Sequence, residues 1–282
     1  MGFPNMYLPT NILTSLLALI EALAATPSKA VTVDWKWNRD TPGCRLRQEI
    51  NSAGDVMEIG STPGSGQTDI SINDSRLNKL AEDVVENGVI HFVPDGSVDA
   101  EVSVSRDAYG FKTIDANSSD HLLMDGFARS TGVQILAAKF ASAKVAVRSA
   151  AAASQALIKC EDDKMREWGI DAVSWRALRA PPTAIEPIQS LFHDYDYPAA
   201  ALVYQIDPTV IARLSVDASG AISSCTAVND VRYRMFTNSV CDVLKKRATF
   251  KPALGHDGVP SPVPYMIVVR FRTKVPSHKS KH

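Results

Sequence analysis

The side chains with the most chemistry to offer are four cysteines, Cys44, Cys160, Cys225 and Cys241, which could serve as disulfides, metal thiolates or a redox pair. No Cys-x-x-Cys occurs, so neither a zinc ribbon nor a thioredoxin-type site is supported, and paired disulfides or buried thiols remain. His91 stands in an apolar run and His121 opens a helical stretch. Neither has a second histidine at helical ligand spacing, so both read as structural and no metal site is expected. Glu161, Asp162 and Asp163 form a run near a helix end, which reads as a solvated face rather than the cleft that acid–base work needs. Ser103, Ser105 and Ser130 lack the Gly-x-Ser-x-Gly elbow of a hydrolase nucleophile. The stretch Gly60 to Gly66 is glycine-rich, but no Gly-Lys-Ser/Thr follows and no helix begins there. It reads as a flexible hairpin loop rather than a phosphate cradle. No catalytic residue and no cofactor is therefore expected.

These residues sit in a chain of 282 with 45% hydrophobic residues, room enough for two ordinary domains. A formal net charge of -1 gives no one-sided positive field, which argues against nucleic acid as a partner. Residues 1–30 read as an export signal. Asn11 to Ile20 is an apolar core, and the Ala22-Leu-Ala24 stretch offers small residues for cleavage at Ala22 and Ala24, with maturation expected near Ala24 or Ala30. No Lys or Arg precedes the apolar run and Glu21 adjoins the cleavage site, so an uncleaved membrane anchor stays open, although the run is shorter than the roughly 20 residues of a spanning helix.

Residues 31–178 read as a β-rich domain closed by a helix. Val31, Val33, Trp35 and Trp37 alternate with polar residues, as in a half-buried strand. Strand-like runs follow at Arg45–Ile50, Asp55–Ser61, Thr68–Ile72, Val89–Val93, Val98–Ser105 and Phe111–Ile114, and their close spacing predicts a sandwich or a curled sheet. A short helix over Asp120–Arg129, a strand over Val133–Phe140 and an Ala-rich helix over Ser149–Met165 complete the domain. Between Arg179 and Pro187 three prolines forbid a helix, so residues 179–193 read as a semi-stiff linker.

The last third carries an ordered string of signals. Tyr197-Pro198 is followed by Ala201. Val210, Ala212, Leu214 and Val216 alternate with Ile211, Arg213, Ser215 and Asp217. A turn at Asp217 to Gly220 leads to a partner strand over Ala221–Val228. Tyr233 to Ala248 has helical spacing, with Thr237, Cys241, Leu244 and Ala248 on one face and Lys245, Lys246 and Arg247 complementing the dipole in the last turn. Phe250 to Ala253 spells Phe-Lys-Pro-Ala. Asp257, Gly258, Pro260, Pro262 and Val263 follow, then an apolar strand over Tyr265–Arg272 and a polar tail over 274–282. Of the three connectivities open to four cysteines, Cys44 with Cys160 and Cys225 with Cys241 is expected, because each pair then stays within one domain. With the helix lying on the hairpin, the second pair closes a loop of about 15 residues, which would add roughly 3 kcal/mol.

This string, over residues 194–273, resembles the TonB C-terminal domain. The resemblance rests on the Tyr-Pro-x-x-Ala opening, the hairpin, the Phe-x-Pro-Ala box and the Asp-Gly-x-Pro signature. It implies an α+β chain in which the β-rich first domain is followed by a small antiparallel sheet with one packed helix. It further implies an envelope protein that is not an enzyme and that recruits an extended peptide as an added strand, possible partners being an outer-membrane TonB-dependent receptor or an envelope assembly. The partner-binding residues carried over are Asp194, Tyr197, Pro198, Tyr265, Ile267, Val269 and Phe271. The chain departs from the family in lacking a long Pro-Lys-rich spacer and a convincing membrane helix, and in having Asn229, Asp230 and Val231 where many relatives carry Ser-Ser-Gly. Asp207-Pro208 also replaces the glycine before the first strand. Direct energy transduction is therefore less well supported than a periplasmic protein using the fold for a different contact. The alternative is a ligand-binding or enzymatic first domain tethered by the second.

Overall fold

The structure is a computed structural model, and it describes residues 34–38, 43–51, 54–74, 77, 85–106, 112–120, 122–138, 143–202, 208–229 and 234–271. Residues 1–30, read above as an export signal, the tail 274–282 and His121 lie outside the described residues.

Alternation of apolar and polar side chains builds the first sheet from β1 (Lys36–Trp37), β2 (Cys44–Glu49), β3 (Val56–Thr62), β4 (Gln67–Asn73), β5 (Val85–Val93), β6 (Ser97–Arg106) and β7 (Lys112–Ser118). Helix α1 (Leu122–Arg129) comes next, then β8 (Gly132–Ala137), β9 (Ala143–Ala146) and helix α2 (Ala150–Glu167). The nine strands lie in the order β1-β2-β3-β4-β7-β6-β5-β8-β9, every neighbouring pair antiparallel. One face carries Leu46, Ile70, Ile90, Phe92, Val102 and Ile114, which are buried with Leu123 and Phe127 of α1 and Ala153 and Leu157 of α2. The second layer is thus helical, and the sandwich considered from the strand spacing does not form: α1 and α2 supply the apolar cover that a second sheet would have given. Strand β9 and the short helix α3 (Ala172–Arg176) had no sequence signal strong enough to stand out.

The run Glu161–Asp163 is not uniformly solvated. Arg176 on α3 pairs with Asp162 and reaches Glu161 at 3.4 Å. Burial pushes the Glu161 carboxyl above its usual range, against the pull of that guanidinium. Asp163, by contrast, meets Lys159 and Arg166 on the exposed side, each at 3.0 Å. The two disulfides join Cys44 to Cys160, with Cα atoms 5.9 Å apart, and Cys225 to Cys241, at 5.6 Å. The first ties α2 to the start of β2.

Residues 179–193 do not hang free between two bodies. The Arg179 N–H donates to the Leu254 carbonyl at 2.9 Å, β10 (Thr183–Ala184) pairs with β13 (Phe250–Lys251), and the Ile185 N–H donates to Thr249 O at 3.0 Å. The prolines fix an extended path, and the donors between them are used by the C-terminal strands.

The C-terminal part holds helix α4 (Ala199–Leu202), β11 (Thr209–Val216), β12 (Ile222–Ala227) and helix α5 (Arg234–Arg247), then β14 (Ala253–Leu254), β15 (Pro260–Ser261) and β16 (Val263–Arg270). Three strands form an antiparallel sheet in the order β12-β11-β16. In the β11–β12 turn, Asp217 Oδ1 accepts from Ser219 N at 2.8 Å and Ala221 N at 3.0 Å, the side chain bracing its own turn. Gly220 completes it at φ +87°, where an added Cβ would fall 1.9 Å from the Phe250 carbonyl oxygen. Gly220→Ala is expected to cost about 2 kcal/mol or more. The check is a fall in the urea midpoint at unchanged m-value, and an unaltered midpoint would contradict the close approach.

Helix α5 buries Phe236, Val240, Val243 and Leu244. The apolar face is therefore centred between Val240 and Val243, with Thr237 and Cys241 half-buried at its margin rather than at its centre. That margin is where Cys241 meets β12.

Candidate functional site

The entry segment is built into the core of the C-terminal part. Tyr197 sets its ring edge-on to Phe236 and to Phe271, each 5.6 Å between centroids, and those two rings lie 4.8 Å apart. Arg247, at the end of α5, holds the segment from the other side. Its guanidinium donates to Asp196 Oδ2 at 2.6 Å and Oδ1 at 3.0 Å, and to the Leu191 carbonyl at 2.6 Å. The Ser239 hydroxyl adds a bond to the Asp196 carbonyl at 2.6 Å. The basic last turn read as dipole complement thus contains one residue with a specific partner 51 positions away. No local signal announces such a pairing.

The Arg247 hydrogen bonds hold the Asp196 carboxyl below the usual carboxylate range, against the opposing effect of burial, and the His193 N–H supports them. A folded-state pKa below the unfolded value of about 3.9 stabilises the protein above that value, and the contribution is lost as pH falls through the folded value. Asp196→Asn is expected to lower stability by about 2 kcal/mol at neutral pH. Denaturation of both proteins from pH 7 into acid checks this: the gap should close below the folded pKa, and a gap independent of pH would contradict it.

Strand β16 is one of the two end strands of its sheet, β12 being the other. Tyr265 and Ile267, with Phe271 just beyond, are buried on the α5 side together with Val210, Ala212, Leu214 and Val216, and half-buried Val269 packs against them. Burial pushes the Tyr265 hydroxyl up to about 12. The alternate residues Met266 and Val268 face the other way and pack, with Ile211, on Met165, Trp168 and Ile170 at the end of α2. Both faces of the strand are therefore covered, and its main-chain edge is what faces outward. The Met266 N–H points away from β11 and donates to the Gly64 carbonyl at 3.0 Å. The turn that supplies this carbonyl is no flexible loop: Pro63, Gly64 and Ser65 are buried, and the Ser65 hydroxyl donates to Thr62 O at 2.7 Å and accepts from Gln67 N at 3.1 Å.

Residues 194–273 match the family described as Gram-negative bacterial TonB protein C-terminal. These residues are a TonB C-terminal domain. No curated protein and no solved structure matches the chain.

Of the contact residues read from the sequence, the TonB domain brings Tyr197 and Phe271 together and places Tyr265, Ile267 and Val269 in the same core. Pro198 is half-buried at the entry, and Asp194 is exposed while its carbonyl accepts the Tyr197 N–H at 3.3 Å. Sequence alternation could show that these β16 residues share a face, but not that α5 covers it.

Outside the TonB domain, the face of the large sheet opposite α1 and α2 is polar. Arg45 forms a two-pronged pair with Asp69 at 2.6 and 2.7 Å, and Asp115 accepts from Ser71 at 2.6 Å and Ser105 at 3.0 Å. Burial raises the Asp115 carboxyl above its ordinary range, the two serine bonds opposing it. On the same face an open hollow of about 750 Å³ is lined by Gln67, Asn87, Asp99, Glu101, Asn117 and Asp120, among others. Among the described residues no group of His, Cys, Asp and Glu is arranged to hold a metal, and no helix is long and apolar enough to cross a membrane.

Proposed function

We propose that this chain is a non-enzymatic cell-envelope protein, exported through residues 1–30, whose TonB domain binds a protein partner in the periplasm. The partner is an outer-membrane receptor or an envelope assembly, and a link to energy-dependent transport would follow from its being a receptor. The observation that carries this reading is the family match over 194–273, within which β16 is an end strand of an antiparallel sheet. An end strand can accept a guest strand through its main chain, which gives affinity without demanding a particular sequence. On this reading Tyr265, Ile267, Val269 and Phe271 hold β16 in place, Tyr197 and Pro198 hold the entry, and Asp194 is the side chain exposed to a partner.

Crosslinking in intact cells followed by pull-down tests it. Capture of an outer-membrane receptor or assembly component, lost when residues 197–273 are deleted, supports the reading; capture unaffected by that deletion removes it. Fractionation with sequencing of the mature N-terminus distinguishes a free periplasmic protein from an anchored one. The hollow beside Asp99 and Glu101 favours a second reading, in which residues 31–178 bind a polar ligand and the TonB domain is a tether. Thermal stabilisation of the chain by a periplasmic extract, abolished by Glu101→Gln with Asp99→Asn, would favour it.

A further inference from the structure

The turn between β3 and β4 and the outer edge of β16 meet backbone to backbone, and that contact bears on how a guest strand could enter. The geometry points to the turn as a built-in plug: we propose that residues Pro63–Gly66 close the strand-accepting edge of β16 and that an extended peptide pairs there only when the turn withdraws. This rests on the strand-addition reading above and goes beyond it by placing an autoinhibitory element in the first domain.

The argument starts from the donors along the edge. Residues of β16 alternate between bonding to β11 and facing outward, and Met266 faces outward. Two residues earlier the outward position is Pro264, which has no N–H to give, as suits an edge strand. Met266 is therefore the first outward donor that β16 can offer, and it is already spent on Gly64. A guest strand would have to supply its own carbonyl in place of that one.

The turn is shaped for this position. Gly64 sits at φ +76°, and a Cβ there would fall 2.9 Å from Met266 Cγ and 3.1 Å from Ile170 Cδ1, so a larger residue could not approach the edge as closely. Gly66, at φ +68°, similarly abuts Pro181 Cγ, with 2.9 Å to an added Cβ. The Ser65 hydroxyl locks the turn internally, so its shape does not depend on β16. Exchanging the Gly64 carbonyl for that of a peptide conserves the hydrogen bond, which makes the exchange a competition rather than an unfolding. An uncovered end strand is also a template for unwanted pairing, and a plug on the same chain removes that hazard until a partner arrives.

The experiment uses the full chain and two variants. In one, Pro63–Gly66 is replaced by Asn-Gly, a two-residue hairpin turn that keeps Thr62 opposite Gln67 but cannot reach β16. In the other, Gly64→Ala loosens the contact without shortening the turn. The probe is a fluorescein-labelled octapeptide copying Thr209–Val216, the strand that already pairs with β16 on its inner side. Both variants are expected to exchange the Met266 amide hydrogen faster than the parent. The shortened variant is expected to bind the probe at least about tenfold more tightly, and Gly64→Ala by a smaller factor. Faster exchange with unchanged probe affinity would overturn the proposal, as would Met266 exchange that neither variant alters. Failure of the underlying reading looks different: cell crosslinking captures no envelope protein with either the parent or the shortened chain, while probe uptake still responds to the turn.

Discussion

Replacing Cys44 and Cys160 together by serine is expected to destabilise the protein by about 5 kcal/mol, the largest loss from any single crosslink in the chain. The bond spans 116 positions against the 16 between Cys225 and Cys241, and because the entropy of closing a loop grows with the logarithm of its length, the longer one removes about 2 kcal/mol more freedom from the unfolded chain. A loss of that size is a large share of the roughly 5–15 kcal/mol that holds a domain folded. It would fall on a structural seam, because Cys44 begins β2 while Cys160 rides on the helix that covers the sheet. Equilibrium denaturation of the double-serine chain beside the parent measures it. A loss below about 1 kcal/mol would mean that the unfolded chain already holds α2 near β2 without the bond. The matching variant at Cys225 and Cys241 is expected to lose about 3 kcal/mol, confined to the TonB domain.

The second large effect is expected for Phe236→Ala, at about 3–5 kcal/mol. Phe236 is fully buried, and its ring is the common neighbour of Tyr197 and Phe271. Removing it leaves a void where the entry segment, α5 and the end of β16 converge, which the disulfide at Cys225 and Cys241, on another part of the helix, does not close. The Asp194–Pro198 entry should loosen with it. Hydrogen exchange at Tyr197 and the near-ultraviolet aromatic signal report that loosening alongside the denaturation midpoint. A normal aromatic signal with a loss under about 1 kcal/mol would show that Tyr197 and Phe271 repack against each other and that the entry does not depend on Phe236.

Much of the secondary structure was legible because its signals are local. The alternation over Val210–Val216 marks β11, the Ala-rich run ending near Met165 marks α2, and Asp217 with Gly220 marks the turn where that chemistry is used. The ordered motifs over 194–273 placed the TonB domain because they depend on residue type and order, not on what each residue touches. The cysteine pairing also followed from domain membership alone.

Strand order was not legible. β4 pairs with β7, and β5 lies between β6 and β8, a choice set by which apolar faces meet under α1 and α2. The flanking sequence of each strand is compatible with other neighbours. Likewise, a glycine-rich stretch reads as freedom when only its own backbone is considered. Here the same absence of side chains lets Gly64 press against Met266, and the stretch becomes one of the most enclosed turns described.

By itself, then, the sequence determined most of the longer strands and helices, the turn at Asp217 to Gly220, the expected cysteine pairing and the family that the C-terminal residues match, since each depends on residue type, order or spacing along the chain. The tertiary structure alone decided that β16 has both faces covered, that Arg247 is spent on Asp196, and that a turn some two hundred residues upstream sits on the Met266 amide. Those facts depend on groups brought together across long stretches of chain, and packing, which acts only over a few ångströms, leaves no trace in the spacing of neighbouring residues.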